Sequence, residues 1–328
     1  MAVDFDRLWD DRLAPVLESV RRERQQLVQR RTRFSCLGLV SGAVIALLIA
    51  LTVREWHVAV AASIGAAIGY TFGWLYANGP LRELGATLKA RANTVTAEAF
   101  GLGYSAKVRR PPGYRRFQEL ALIPSGMFRG DVEDWFVGAG ESGEFEFFEL
   151  RLYAERRGVQ VTRFHGLLVW LPLARRIEGT TVITLDQGEV GNALEAVWHR
   201  TWGDSLKRVR LVDQEFESMF EVYGNDQVAA RYMLTPSVIE GVKRVERQFR
   251  RERIRLALDA ESGESGGVLV AVESGGLFDP EDAELGLFDK EHHRKVHAEI
   301  ESILGLVDLF QRELDPMSAL ARDGSETA

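Results

Sequence analysis

Two uncharged runs constrain this chain more than any other feature. Phe34 to Val53 reads FSCLGLVSGAVIALLIALTV, and Val58 to Ala77 reads VAVAASIGAAIGYTFGWLYA. Each is roughly 20 residues, about 30 Å as helix, which matches the hydrocarbon thickness of a bilayer. Backbone buried in lipid must satisfy its own hydrogen bonds, so the runs are read as a helical hairpin spanning a membrane. The alternative is a helical hairpin buried in a soluble core. A cleaved leader fits poorly, because a long charged segment precedes the first run and a second run follows directly.

The flanks set an orientation. Arg21, Arg22, Arg24, Arg30, Arg31 and Arg33 precede the first run, and Arg82, Lys89 and Arg91 follow the second, whereas the connection holds only Arg54 and Glu55. The positive-inside rule places both termini in the cytoplasm, with Trp56, Trp74 and Tyr76 near the interfaces. Gly38 and Gly42 on the first run, and Gly65, Gly69 and Gly73 on the second, recur at four-residue spacing. Such stripes let helix backbones approach closely in lipid. They pack the two spans together or join copies of the chain, and the sequence leaves both open.

Helical periodicity extends beyond the runs. Phe5, Leu8, Leu13, Val16, Leu17, Val20 and Leu27 form one stripe, with a break or restart at Pro15. Asn78-Gly79-Pro80 reads as a stop and a restart, followed by a helix over about 80–99 striped with Leu81, Leu84, Leu88, Ala92 and Val95. An antiparallel hairpin brings these stripes side by side, where each can cover the other. KVRRPPGYRR (107–116) reads as a solvated basic linker, with contact to anionic headgroups as the sharper reading.

Beyond about residue 130 the period shortens to two. Residues 144–155, 159–173, 180–186, 207–212, 219–223, 253–258 and 268–273 read as strands joined by short turns, with helices over about 236–250 and 289–313. The expected fold is α+β: an N-terminal α-helical transmembrane hairpin, then a cytoplasmic, mainly antiparallel β-sheet domain with packed helices. The expected divisions are 1–33 (cytoplasmic amphipathic helix), 34–77 (membrane hairpin), 78–116 (cytoplasmic helix and basic linker), 117–316 (α+β domain) and 317–328 (disordered tail).

Several stretches match chemical motifs, and each has a simpler reading. Gly138 to Gly143 matches G-x-G-x-x-G, but it opens a strand carrying Glu144, Glu146 and Glu149 rather than a helix, so it reads as a hairpin turn. Gly263 to Gly267 matches G-x-S-x-G and is likewise followed by a strand, not the helix of a nucleophile elbow. His293 and His297 share a helix face, as zinc ligands can, yet an exposed polar face is the simpler reading. His165 and His199 stand alone in the sequence. No catalytic residue, metal site or cofactor is assigned. The single cysteine, Cys36, excludes intrachain disulfides and cysteine-based zinc clusters, and the net charge of −7 argues against nucleic acid as a partner.

The stretch FEVYGNDQVAARYMLTP (220–236) is the densest in structural signals. It reads as a strand, a Gly-Asn-Asp turn, a short extended piece and a helix started by Thr235-Pro236. Asp226, Gln227, Arg231 and Tyr232 are the candidate ligand-binding groups. The stretch resembles the signature of a bacterial family called domain of unknown function 3137. Members are similar along nearly the whole chain: an Arg-rich first helix (LAPVLESVRRERQQ here), two membrane spans and a β-rich cytoplasmic portion. The resemblance implies a protein anchored in the bacterial inner membrane and brings no activity with it. Three functional readings follow: a non-enzymatic binding or adaptor domain with a protein partner or small ligand, a membrane-associated enzyme with a site assembled from distant residues, and a structural homo-oligomer packed through glycine faces.

Overall fold

The computed structural model describes residues 3–53, 58–108, 111, 113–124, 128–156, 158–174, 176–185, 206–249, 252–279 and 286–314. The connection Arg54–His57, His199 and the tail from 315 lie outside them. The chain divides into two compact units, one helical (3–96 and 280–293) and one built on a sheet (97–279 and 294–328).

The helical unit begins with α1 (Phe5–Leu8), capped by the Asp4 carboxylate, which accepts from the Asp6 and Arg7 backbone amides at 3.0 and 3.4 Å. A π-helical turn, Trp9–Leu13, runs directly into α2 (Ala14–Val53), with Pro15 next to the join. α3 (Val58–Ala99) passes through Pro80 without interruption. The expected stop at Asn78-Gly79-Pro80 therefore does not occur. A helical proline forfeits one bond to the carbonyl four residues back, about 3 kcal/mol with its ring clash. Favourable packing lies beyond that point: Leu84 and Leu88 meet Val16, Leu17, Val20 and Leu287 in one apolar cluster.

α2 and α3 meet along their glycines. A Cβ on Gly38 would run into the Gly69 carbonyl oxygen, one on Gly42 into that of Gly65, and one on Gly73 into that of Phe34. Outside this seam the apolar side chains face outward; Leu37, Ile49 and Phe72 are all more than half exposed. Both helices are long and apolar enough to cross a membrane.

The sheet unit is α+β. Its strands are β1 (Gly103–Lys107), β2 (Arg129–Gly140), β3 (Gly143–Arg156), β4 (Val159–Pro172), β5 (Thr180–Leu185), β6 (Lys207–Arg208), β7 (Phe220–Gly224), β8 (Arg253–Asp259) and β9 (Gly267–Glu273). They form one antiparallel sheet in the order β1-β2-β3-β4-β9-β8-β5-β7-β6. Both glycine motifs are hairpin loops: Gly140 pairs with Gly143 across two residues, and β8 turns into β9 through Gly263 and Gly266, both at positive φ. β1 and β2 add to the expected strands, while the expected strand over 207–212 shrinks to two residues.

The central strands are buried on both faces. Phe147, Leu167, Ile183, Val222, Leu256 and Val270 face one way, against the later helices; Phe148, Leu168, Val182, Tyr223, Ala257 and Leu269 face the other. The period of two places these neighbours on opposite sides. The first face is covered by α7 (Pro236–Gln248) and α8 (Lys290–Leu314), through residues such as Val238, Val242, Ile300 and Phe310. The second is covered by α4 (Tyr114–Glu119) and the turn after it, through Phe117, Leu120, Leu122 and Ile123.

That placement corrects the reading of 107–116 as a solvated linker. Arg116 donates from Nε and Nη2 to Asp259 at 2.6 and 2.7 Å, and Asp259, fully buried, also accepts from Thr180 Oγ1 at 2.7 Å. Burial alone would lower the Arg116 pKa; the Asp259 bonds outweigh it and raise it. Glu146 holds the same segment by accepting from the Gly113 amide and the Trp135 indole N–H. Its burial raises its pKa, and those two bonds offset part of the rise.

Candidate functional site

The stretch 220–236 folds by local chemistry at nearly every position. β7 ends at Gly224, which pairs with Thr181 on one side and Lys207 on the other. Asn225 Oδ1 accepts from the Thr180 amide at 2.7 Å, and the Asn225 amide donates back to the Thr180 carbonyl at 3.2 Å. Asp226 caps α6 (Gln227–Met233), accepting from the Val228 and Ala229 amides at 2.8 and 3.0 Å. Thr235 Oγ1 caps α7 by accepting from Val238, with Pro236 at the first helical position. The expected extended piece between turn and helix is thus itself a helix. Its two turns are too short for the sequence period to reveal, and the Asp226 cap is what starts it.

α5 (Gln214–Met219) precedes β7 and is capped by Asp213. Asp213 and Glu215 both accept from Lys243 of α7, at 3.1 and 2.7 Å, and the Lys243 side chain is almost wholly covered. The bonds to Glu215 and Asp213 raise the Lys243 pKa against the opposing effect of burial. α5 and α7 are thereby pinned to each other, and α6 lies between them in the chain.

α6 buries Ala230 completely yet leaves Val228 and Tyr232 77 % and 66 % exposed. These two, at i and i+4, share one face. They line a cleft of about 550 Å3 with Ile177, Met233, Arg176 and Asp226. Its lining mixes apolar and aromatic side chains with Arg176, Glu178 and Asp226. Such a surface suits a side chain with an apolar body and a polar end. Of the four candidate residues, Asp226 and Tyr232 line the cleft. Gln227 and Arg231 are occupied with each other: Arg231 donates to the Gln227 side chain at 3.4 Å and to the Arg210 carbonyl at 3.1 Å.

The histidines differ from expectation. His293 and His297 are buried rather than part of an exposed polar face: His293 Nε2 lies 2.9 Å from the Leu287 carbonyl, and the His297 ring packs on Phe100 at 4.8 Å. Burial lowers the His293 pKa. Nor does His165 stand alone. β3 and β4 place it beside Glu149 and Arg151, and the turn after β9 adds Asp279. Glu149, His165 and Asp279 can offer three ligand atoms within 4.8 Å of one another. Arg151 already sits among them, 3.4 Å from both His165 Nε2 and Asp279 Oδ2, and Glu149 accepts from the Leu277 and Phe278 amides. The group works as a polar clasp on the turn 274–279. Sequence distance hid it: its members come from three separate elements.

Residues 162–312 match the family described as Protein of unknown function (DUF3137). The DUF3137 match starts within β4 and ends within α8, so it contains the α6 cleft and the whole 220–236 motif. Comparison with curated protein sequences finds no match. Among solved structures, the chain is similar to the crystal structure of the mycobacterial trehalose monomycolate transport factor A, TtfA, with a TM-score of 0.33 and 11 % identity, over 69 % of this chain and 96 % of that one.

Proposed function

We propose that this chain is a membrane-anchored binding module of the bacterial inner membrane, with both termini cytoplasmic. Its anchor is the helix pair over 34–53 and 58–77, and its binding surface is the α6 cleft, which receives an apolar or aromatic segment of a protein partner. The outward-facing Leu37, Ile49 and Phe72 support the anchor, since a soluble hairpin would bury them. The arginines before the first span and Arg82, Lys89 and Arg91 after the second support the orientation. One observation carries the binding role: Val228 and Tyr232 stand exposed on the cleft face of a short helix that local folding already caps and packs.

The test is site-specific photocrosslinking in bacterial cells expressing the full-length chain. A photoreactive phenylalanine analogue at Tyr232 is expected to give a discrete adduct that vanishes when Val228 is changed to Asp. The same probe at Val159, exposed at the start of β4, serves as control. Equal adducts at both positions, or a Tyr232 adduct indifferent to Val228→Asp, would refute the cleft. Extraction of the chain from membranes by alkaline carbonate would refute the anchor.

A further inference from the structure

The tip of β2 carries a second feature that the cleft does not use. β1 pairs with β2 only from Glu133 to Val137, whereas β2 continues to Gly140. On the other side, Gly140 and Gly143 close the hairpin to β3 across two residues, so they must exchange both backbone bonds. Alternation then turns the N–H and C=O of Ala139 away from β3, toward the edge that β1 has left. Ala139 is exposed, and no strand among the described residues pairs with it on that edge. An open edge is a template for another strand.

Beside this edge lies a groove of about 530 Å3, bounded by the Phe100–Leu102 turn, Gly138–Gly140 and the last half of α8. Gln311 of α8 projects into it. Gln311 is 8 % exposed, and its buried Nε2 has no hydrogen-bond partner among the described residues. The missing side chain of Gly140 is what admits it, since a Cβ there would collide with the Gln311 amide. A buried amide without a partner is unfavourable unless something supplies one. A glutamine amide can donate to a peptide carbonyl or accept from a peptide N–H. The groove's charges are Glu301 and the Asp308–Arg312 pair, joined at 2.9 Å, which leaves the rim with a net negative charge.

We propose that this edge binds an extended segment of a partner protein by strand addition. The segment pairs with the Ala139 backbone, its peptide group meets the Gln311 amide, and a basic side chain meets Glu301. Strand addition takes its affinity from backbone bonds and its selectivity from flanking side chains. The site is independent of the α6 cleft and stands if that cleft fails.

The experiment pans a random heptapeptide library on the full-length chain in lipid nanodiscs and labels the enriched peptides for fluorescence anisotropy. Enriched peptides are expected to carry Lys or Arg, and to slow hydrogen exchange at the Ala139 amide of the wild-type chain. Methylating alternate backbone nitrogens of the peptide, or changing Gln311 to Ala, is expected to weaken binding by about ten-fold or more. Failure to enrich any peptide overturns the proposal. So does enrichment of peptides that leave Ala139 exchange unchanged, a readout that needs no variant to fold.

Discussion

Arg116→Ala tests the buried ion pair that fastens α4 to the sheet. Asp259 is fully buried and has three short bonds, two of them from Arg116 and the third from Thr180. Removing the guanidinium strands a carboxylate in the interior, which costs about 3–5 kcal/mol; the pair itself contributes far less against an apolar replacement. Asp259 ends β8 and pairs with Thr180 at the start of β5, so those two strands should loosen first. Amide exchange of β5 and β8, measured on the full chain in nanodiscs, is expected to speed by about a hundred- to several-thousand-fold. Arg116→Met combined with Asp259→Asn removes both charges and keeps an acceptor for Thr180, and it should recover most of the loss. The reasoning fails if Arg116→Ala changes exchange by less than about five-fold, a loss of roughly 1 kcal/mol. It also fails if the double variant is as loose as the sum of the single ones, because the stranded charge would then not be the cause.

Glu299 lies largely buried in α8, its pKa pushed up to about 7 by burial, with Lys295 one turn earlier offsetting part of the rise. A carboxyl raised in the folded state favours folding below its unfolded value and loses that advantage as pH rises toward 7. Glu299→Gln should therefore stabilise the sheet unit at pH 8 by about 1–3 kcal/mol and flatten its stability between pH 4.5 and 7, read by thermal melting across pH. Gly69→Leu should force α2 and α3 apart at the Gly38 carbonyl and lower the melting temperature of the helical unit. Native mass spectrometry of the same variant should show an unchanged assembly size, because the seam lies within one chain. Asn225→Ala removes the acceptor of the Thr180 amide and should destabilise by about 1–2 kcal/mol in denaturant unfolding, leaving Tyr232 crosslinking intact when the chain is folded.

The sequence was readable wherever burial imposed a period. β3 and β4 alternate because both faces of the central sheet are covered, so Phe147 and Phe148 each needed to be apolar. β2 escaped because its first half carries Asp131, Glu133 and Asp134, and because it bulges between Glu133 and Phe136. Asp134 takes a positive φ there and accepts from the Tyr104 hydroxyl at 2.6 Å. α6 escaped because seven residues do not display a helical period. Pro80 misled because a rule about one lost bond ignored the packing of Leu84 and Leu88 farther along. The cleft was half legible: Asp226 and Tyr232 lie on the motif, but Arg176 and Ile177 come from the link between β4 and β5, some fifty residues earlier, and nothing in their spacing announces the meeting.

The motif itself separates into two parts once its bonds are assigned. Gly224, Asn225, Asp226, Thr235 and Pro236 each serve the backbone, by pairing, bridging to Thr180, capping α6 or starting α7. Folding would be worse without any of them. Val228 and Tyr232 hold none of these positions. α6 already buries Ala230, and alanine or glutamine at either exposed position would serve the helix at least as well, since β-branched and aromatic residues lose side-chain freedom in a helix. Under the proposed binding role, a partner segment would cover both residues where they line the cleft.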